Sequence, residues 1–384
     1  MPALSTALSA AGVAVLALAA SSANAAKAPA TLEHVIAFGD SYSDNGNTFK
    51  VTGYPAAPYF NGRYSNGPTW AELVANATVG NSNFTDVAYG GAYASKAALS
   101  PPQNLTAGEF DPPDLTQQLQ YYLGNHTKYP HPRTTLYTLF AGGNDYVNPF
   151  QAGNKPDANK VAGAIVSFVQ ALHESPLNAT DFLILDMFDF ADLPVVRQAA
   201  AQAGNATGTT ILAGATALSN GHNQVLAAGF AGLTTKTPAL KIRLVDFYSL
   251  AKASSTNFKN GTSPCVTLAP NATASATYRS TDPKNVIACQ DPDSYWYWDD
   301  QHPTAAGHKM IADLALKTLA DPSAIINGTD GSRNKTSPTG GDTGKNGTQG
   351  AGHSGSKSAA STQAYVFGSG AAVLAAVVTA FFAL

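Results

Sequence analysis

Two short stretches, far apart in the chain, carry residue types that together could open an ester. Ser41 lies in Gly39-Asp40-Ser41-Tyr42-Ser43-Asp44-Asn45-Gly46-Asn47, directly after the apolar run Val35-Ile36-Ala37-Phe38. Asp299 and His302 lie near the other end, in Trp298-Asp299-Asp300-Gln301-His302-Pro303-Thr304. A serine hydroxyl attacks a carbonyl only as its proton leaves; an imidazole takes the proton, and a carboxylate holds the imidazole in the right tautomer. A separation of three positions lets Asp299 turn back onto one nitrogen of His302, leaving the other free to face Ser41. Asp300 is the rival carboxylate, but an adjacent position reaches back to the same ring less readily.

The chemistry also needs hydrogen-bond donors for the oxyanion, each worth about 3 kcal/mol of barrier. Two glycine-bearing stretches could supply them: Tyr89-Gly90-Gly91-Ala92 and Ala141-Gly142-Gly143-Asn144-Asp145. The backbone N–H groups of Ser41 and Gly91 and the side-chain amide of Asn144 are the candidates, with Gly90 open as an alternative to Gly91. Asp44 and Asn47 are expected to brace the serine loop. The Gly-x-Ser-x-Gly elbow of the larger hydrolase fold is absent, so a reactive Ser41 needs another scaffold. The remaining histidines show no metal-binding spacing such as His-Glu-x-x-His, and no metal site is expected.

Elements able to position these residues are visible. Val35–Phe38, Thr135–Phe140, Phe182–Leu185 and Ile242–Phe247 are short apolar runs ending at turn residues, the pattern of strands buried on both faces. Between them, Thr69–Ala77, Asn159–His173, Thr210–Leu233 and Thr304–Leu319 show helical spacing. Strands alternating with helices predict a parallel sheet covered on both faces, with ligands beyond the carboxyl ends of its strands. Ser41 and the Gly142–Asp145 stretch both follow such ends.

The ordered set GDS, GGA, GGND and DDQH resembles the GDSL, or SGNH, hydrolase family. The resemblance runs from about residue 35 to 320 and departs at Tyr42, where leucine is common. It implies a three-layer α/β/α sandwich with a central, mainly parallel sheet, and no cofactor. It also implies Ser41 as nucleophile, Asp299 and His302 as its relay, and Ser41, Gly91 and Asn144 as the oxyanion hole. The segment Asn61-Gly62-Arg63-Tyr64-Ser65-Asn66-Gly67-Pro68-Thr69-Trp70 resembles secreted fungal-type carbohydrate acetylesterases, and also some lipase-like members. Tyr64, Trp70 and Trp298, with Tyr59, Phe60, Trp296 and Tyr297, are expected to line a cleft where sugar faces stack. The expected substrate is therefore a small-molecule or oligosaccharide ester, with acetylated plant-wall oligosaccharide foremost. A lipase or general short-chain esterase is the alternative, and a non-catalytic carbohydrate-binding wall protein a second.

Composition and the chain ends bound the rest. The 384 residues carry a net charge of −3 with no basic run inside the domain, which argues against nucleic-acid binding. Residues 1–25 have the apolar core and Ala23-Asn24-Ala25 cleavage pattern of a secretory signal peptide. Residues 30–325 are long enough for one large domain. Residues 326–360 form a Gly/Ser/Thr-rich linker, and 361–384 an apolar tail that fits a GPI-anchor signal or a membrane span. A secreted, cell-surface protein held to the membrane by this anchor is expected. Eleven Asn-x-Ser/Thr sequons agree: Asn76, Asn83, Asn104, Asn125, Asn178, Asn205, Asn260, Asn271, Asn327, Asn334 and Asn346. In an oxidising compartment Cys265 and Cys289, the only cysteines, should form a disulfide.

Overall fold

The computed structural model describes residues 32–98, 110–126, 128–151, 157–268 and 286–327. The expected signal peptide, the expected linker and tail beyond Asn327, and the sequons at Asn104, Asn271, Asn334 and Asn346 lie outside them.

Five strands form one parallel sheet: β1 (His34–Gly39), β2 (Phe84–Asp86), β3 (Thr135–Phe140), β4 (Asp181–Leu185) and β5 (Lys241–Val245). Their order is β2-β1-β3-β4-β5. Every residue of β3 and β4 is buried, which is why these runs are apolar without alternation. β5 stops two residues short of the predicted strand. The Asp246 side chain accepts from Ser249 N–H at 2.9 Å and caps a helix that starts at Phe247.

Nine helices are described: α1 (Asn47–Thr52), α2 (Trp70–Thr78), α3 (Leu115–Asn125), α4 (Gly143–Gln151), α5 (Ala158–Glu174), α6 (Pro194–Ala203), α7 (Asn205–Lys236), α8 (Phe247–Asn257) and α9 (Ala305–Ala320). Parallel crossovers are right-handed, and this sorts the helices between the two faces. The connection from β1 to β2 runs one way along the sheet, while those to β3, β4 and β5 run the other way. Thus α2, joined by α9, covers one face, and α3, α5 and α7 cover the opposite one, giving three layers. The predicted stripe on α5 is buried as expected, through Val161, Ile165, Phe168, Val169 and Leu172. Helix α2 starts at a capping box, in which Thr69 Oγ1 accepts from Glu72 N–H and the Glu72 carboxylate accepts from Thr69 N–H.

A small strapwork sits beside the main sheet. β6 (Asn260–Pro264) pairs in parallel with β9 (Tyr295–Tyr297), and β7 (Val266–Leu268) pairs antiparallel with β8 (Val286–Ala288). Cys265 and Cys289 form the expected disulfide within it. Cys265 N–H donates to Tyr297 O at 3.0 Å and Val266 N–H to Trp298 O at 2.7 Å, so the strap grips the chain just before Asp299.

Among the described sequons, Asn76, Asn83, Asn125, Asn178, Asn205 and Asn327 are exposed, and Asn260 is half-buried. Among the described residues, no helix is long and apolar enough to cross a membrane, and no group of three or more His, Cys, Asp or Glu could hold a metal.

Candidate active site

The strand order brings three of the four sequence blocks together. β1 lies between β2 and β3, so the loops leaving these neighbouring strands open side by side at one edge. They carry Ser41, Gly90-Gly91 and Asn144 respectively. The order reverses beside β1, the place where open parallel sheets form a crevice.

The serine loop depends on Gly39. Its φ is +142°, and a Cβ there would lie 2.0 Å from Phe140 O. A buried amide clasps the same residue: Gln118 Oε1 accepts from Gly39 N–H at 3.0 Å, and its Nε2 donates to Gly39 O at 2.8 Å. The chain then turns sharply, with Ser43 and Asp44 N–H both donating to Asp40 O at 3.0 Å. Asp44 and Asn47 brace the loop as expected. Asp44 Oδ1 accepts from Gly46 and Asn47 N–H, and its Oδ2 from Thr48 and Gly90 N–H. Asn47 Nδ2 donates to Asp86 O and Ala88 O, both at 3.0 Å.

The fourth block arrives from the far end of the chain. Trp298 N–H donates to His302 O at 2.7 Å, closing a tight loop over Asp299–His302. Within it Asp299 Oδ1 accepts from Gln301 N–H at 2.9 Å and His302 N–H at 2.7 Å. His302 Nδ1 lies 2.8 Å from Asp299 Oδ2, and His302 Nε2 lies 2.8 Å from Ser41 Oγ. All three residues are buried. Asp299, not Asp300, is thus the carboxylate on the ring. Asp300 Oδ1 is buried without a hydrogen-bond partner.

The electrostatics follow from this contact. Burial drives His302 toward its neutral form, but the adjacent Asp299 charge and hydrogen bond, helped by Asp300 and Asp40, hold its pKa above the usual value. Burial likewise pushes Asp299 up. The His302 charge and hydrogen bonds from His302 and two backbone N–H groups outweigh this and hold its carboxyl below the usual range. Asp40 and Asp145 are pushed up to about 7 by burial, and Asp300 to about 7 by burial and by the Asp299 charge.

For the oxyanion donors the geometry separates two glycines. Gly90 N–H is already taken, 2.8 Å from both Asp44 Oδ2 and Thr48 Oγ1. That leaves Gly91, whose φ of +81° suits glycine. Asn144 Nδ2 donates to Ala92 O at 2.9 Å, which fixes its amide plane and leaves its second hydrogen. Buried Asp145 accepts from Ala94 N–H at 2.7 Å, locking the Gly91 loop to the Asn144 helix.

The expected aromatic cleft is not found. Trp70, Trp296, Tyr297 and Trp298 are buried at 3% exposure or less, and Trp70 Nε1 donates to Ser43 Oγ beneath the serine loop. Trp70, Trp296 and Tyr297 are buried in the main core and Trp298 in a smaller cluster around the strap, where apolar burial takes these large rings. Tyr64 stays beside the site, its ring centroid 5.1 Å from that of His302, but it too is 7% exposed. A Cβ at Gly90 would lie 2.2 Å from this ring, so the tyrosine fixes a glycine at 90. Phe60 alone of the set is exposed, at 40%. Sequence reasoning missed Gln118 as a brace. It also read Tyr59 as cleft lining, whereas the Tyr59 hydroxyl donates to Asp299 Oδ2 at 2.9 Å. No local signal marks either role, since both partners are distant in sequence.

A cavity of about 570 Å³ lies elsewhere, between α6, α7 and α8, lined by Asp192, Arg197, Leu212, Thr216, Asn220 and Lys252 among others. Its charges are paired internally: Arg197 bonds Asp192 at 2.5 Å, and Lys252 bonds Asp189.

A parallel α/β sheet with serine, histidine and aspartate joined at its carboxyl edge defines the class of SGNH-type hydrolase folds. The chain belongs to the family of GDSL-like lipases and acylhydrolases, whose profile it matches over residues 35–315. It is similar to the thermolabile hemolysin of Vibrio parahaemolyticus, 26% identical over 306 residues that cover 77% of this chain and 66% of that one. It is also similar to the phosphatidylcholine-sterol acyltransferase of Aeromonas hydrophila, 29% identical over 221 residues that cover 56% and 59% of the two chains. The chain therefore spans less than two thirds of the length of either relative. Among solved structures, Axe2, an acetylxylan esterase from Geobacillus stearothermophilus, superposes with a TM-score of 0.35 at 15% identity, over 75% of this chain and 94% of that one.

Proposed function

We propose that this protein is a serine carboxylic-ester hydrolase working through an acyl-enzyme. One observation carries the reading: His302 bridges Ser41 and Asp299 with 2.8 Å contacts on its two ring nitrogens. In the first half-reaction Ser41 Oγ attacks the ester carbonyl, and its proton passes to His302 Nε2. His302 then protonates the departing alcohol. In the second half-reaction water gives its proton to His302 and attacks the acyl carbon, and Ser41 leaves with that proton restored. The N–H groups of Ser41 and Gly91 and the Asn144 amide receive the oxyanion. Secretion, N-glycosylation and a surface anchor are part of the proposal, supported by the chain ends and by the exposed sequons.

Two substrates are supported by different features. Acetylated oligosaccharide is supported by the Asn61–Trp70 segment. A lipid acyl ester is supported by the second relative, whose name specifies phosphatidylcholine. The buried tryptophans weaken the first reading, because a stacking platform must be open to the sugar. Rates on p-nitrophenyl esters from acetyl to palmitoyl, beside acetate release from acetylated xylo-oligosaccharide, decide between them. A rate that peaks at acetyl with acetate released supports the sugar ester, and a rate that rises beyond about eight carbons ends that reading. Fluorophosphonate labelling tests catalysis itself; a secreted protein that takes no label on Ser41 would be a binding module.

The pH profile has a fixed sign. The working form of His302 is neutral, and its pKa is raised. Activity is therefore lost as pH falls through that raised value, and the acid limb of kcat/KM should lie above the ~6.5 of an ordinary histidine. A flat profile from pH 4 to 8 contradicts the base assignment.

A further inference from the structure

Tyr59 lies in the loop before α2 and is 6% exposed. Its ring meets Trp298 edge-on, with centroids 6.1 Å apart, in a small apolar cluster with Cys265, Val266 and Val286. Its hydroxyl donates to Asp299 Oδ2 at 2.9 Å. Among the described residues, His302 and Tyr59 are the side chains that bond this carboxylate. The backbone N–H groups of Gln301 and His302 converge on Oδ1, His302 Nδ1 lies within reach of both oxygens, and the phenol adds its bond to Oδ2.

We propose that Tyr59 is a positioning residue of the Ser41–His302–Asp299 relay, holding Asp299 Oδ2 in place so that His302 stays aimed at Ser41. The inference rests on the esterase reading above. His302 Nδ1 lies 2.9 Å from Oδ1 and 2.8 Å from Oδ2, and both backbone bonds fall on Oδ1, so the phenol is the one further group that anchors Oδ2 independently of the ring among the described residues. The phenol is itself held from behind. The disulfide-bearing strap packs against its ring and also bonds the Tyr297–Trp298 segment that leads into Asp299. One unit therefore seats both the tyrosine and the carboxylate it contacts.

The phenol also takes up part of the Asp299 charge. A carboxylate so engaged stabilises the imidazolium less than a bare one would, and His302 releases its proton at a lower pH. Among the described residues, other groups facing His302 include Asp300 and Asp40, the rings of Tyr42 and Tyr64, and His308, which burial holds neutral. A Tyr59 substitution leaves all of these in place.

Tyr59→Phe keeps the ring and removes the bond. With p-nitrophenyl acetate, kcat should fall about tenfold, the size implied by losing a hydrogen bond to a charged group, with KM unchanged. The acid limb of kcat/KM should move up by about half a pH unit. Monofluorotyrosine at position 59, a stronger donor of nearly the same shape, should move the limb down, which a space-filling role would not do. A wild-type kcat and an unmoved limb in Tyr59→Phe overturn the proposal; if that variant does not fold, an unmoved limb in the fluorinated protein overturns it equally. Fluorophosphonate separates the two readings. Labelled wild type with an unchanged Tyr59→Phe profile sinks the positioning role alone, whereas unlabelled wild type sinks both.

Discussion

Ser41→Ala should lower kcat by roughly a millionfold, to the level left by binding and oxyanion donors alone. The serine hydroxyl is the atom that forms the acyl bond in the proposed reaction, and it stands 2.8 Å from the nitrogen that must take its proton. Alanine removes both the nucleophile and the hydrogen bond, with a volume change too small to disturb the Gly39 turn. His302→Ala should lose a similar factor, and the double variant little more, because the two residues act as a unit. Single-turnover release of p-nitrophenolate from a p-nitrophenyl ester, together with fluorophosphonate labelling, measures the loss. A Ser41→Ala protein that keeps more than about one hundredth of the wild-type rate would place the chemistry elsewhere.

Asp299→Asn is the second large effect, expected at about ten-thousandfold near neutral pH. The substitution is nearly isosteric, so the loop closed by the Trp298–His302 bond should remain. What changes is the proton on the ring. A carboxylate accepts from His302 Nδ1–H, which leaves Nε2 unprotonated toward Ser41. An asparagine can instead present its NH2 to Nδ1. That stabilises the tautomer with hydrogen on Nε2, which cannot accept the serine proton. Loss of the Asp299 charge also lowers the imidazole pKa, so what activity survives should have its acid limb at lower pH than wild type. Asp300→Asn serves as the control. Its carboxylate has no bond to the ring, so the rate should fall far less. Equal losses in the two variants would mean that both carboxylates orient His302.

The site's residue types were legible because each leaves a local trace. Ser41 follows an apolar strand and a glycine, Asn144 follows another strand, and Asp299 and His302 share one turn. The sheet strands β1, β3 and β4 are visible because burial on both faces demands unbroken apolar runs. β2 was not read as a strand at all. Only three residues long and half-buried, it lies at the sheet edge, where one side carries no neighbour to select an apolar sequence. Helices α3, α6 and α8 also escaped, because their apolar stripes are short and interrupted by polar residues such as Gln118 that are buried for other reasons.

The aromatic residues show the opposite error. Around Trp70 and Trp298 the sequence offers a convincing set of sugar-stacking rings. A tryptophan's affinity for a sugar face and its affinity for a core arise from the same apolar surface. Sequence carries the size of that surface, not the direction in which it points.

Taken alone, the sequence determined the α/β character, the candidate nucleophile, its candidate base and carboxylate, and the paired cysteines, since strand burial, turn chemistry and the Asp-x-x-His turn are encoded within a few positions of each other. Tertiary structure alone decided that Gly90 N–H is engaged by Asp44 and Thr48, the order that sets β1 between β2 and β3, and the placing of Tyr59 and Gln118. Each of those outcomes turns on which atom meets which across some 40 to 260 positions. Separations of that size are closed only by the packing of the sheet and the two helix layers, and no short stretch of sequence contains that information.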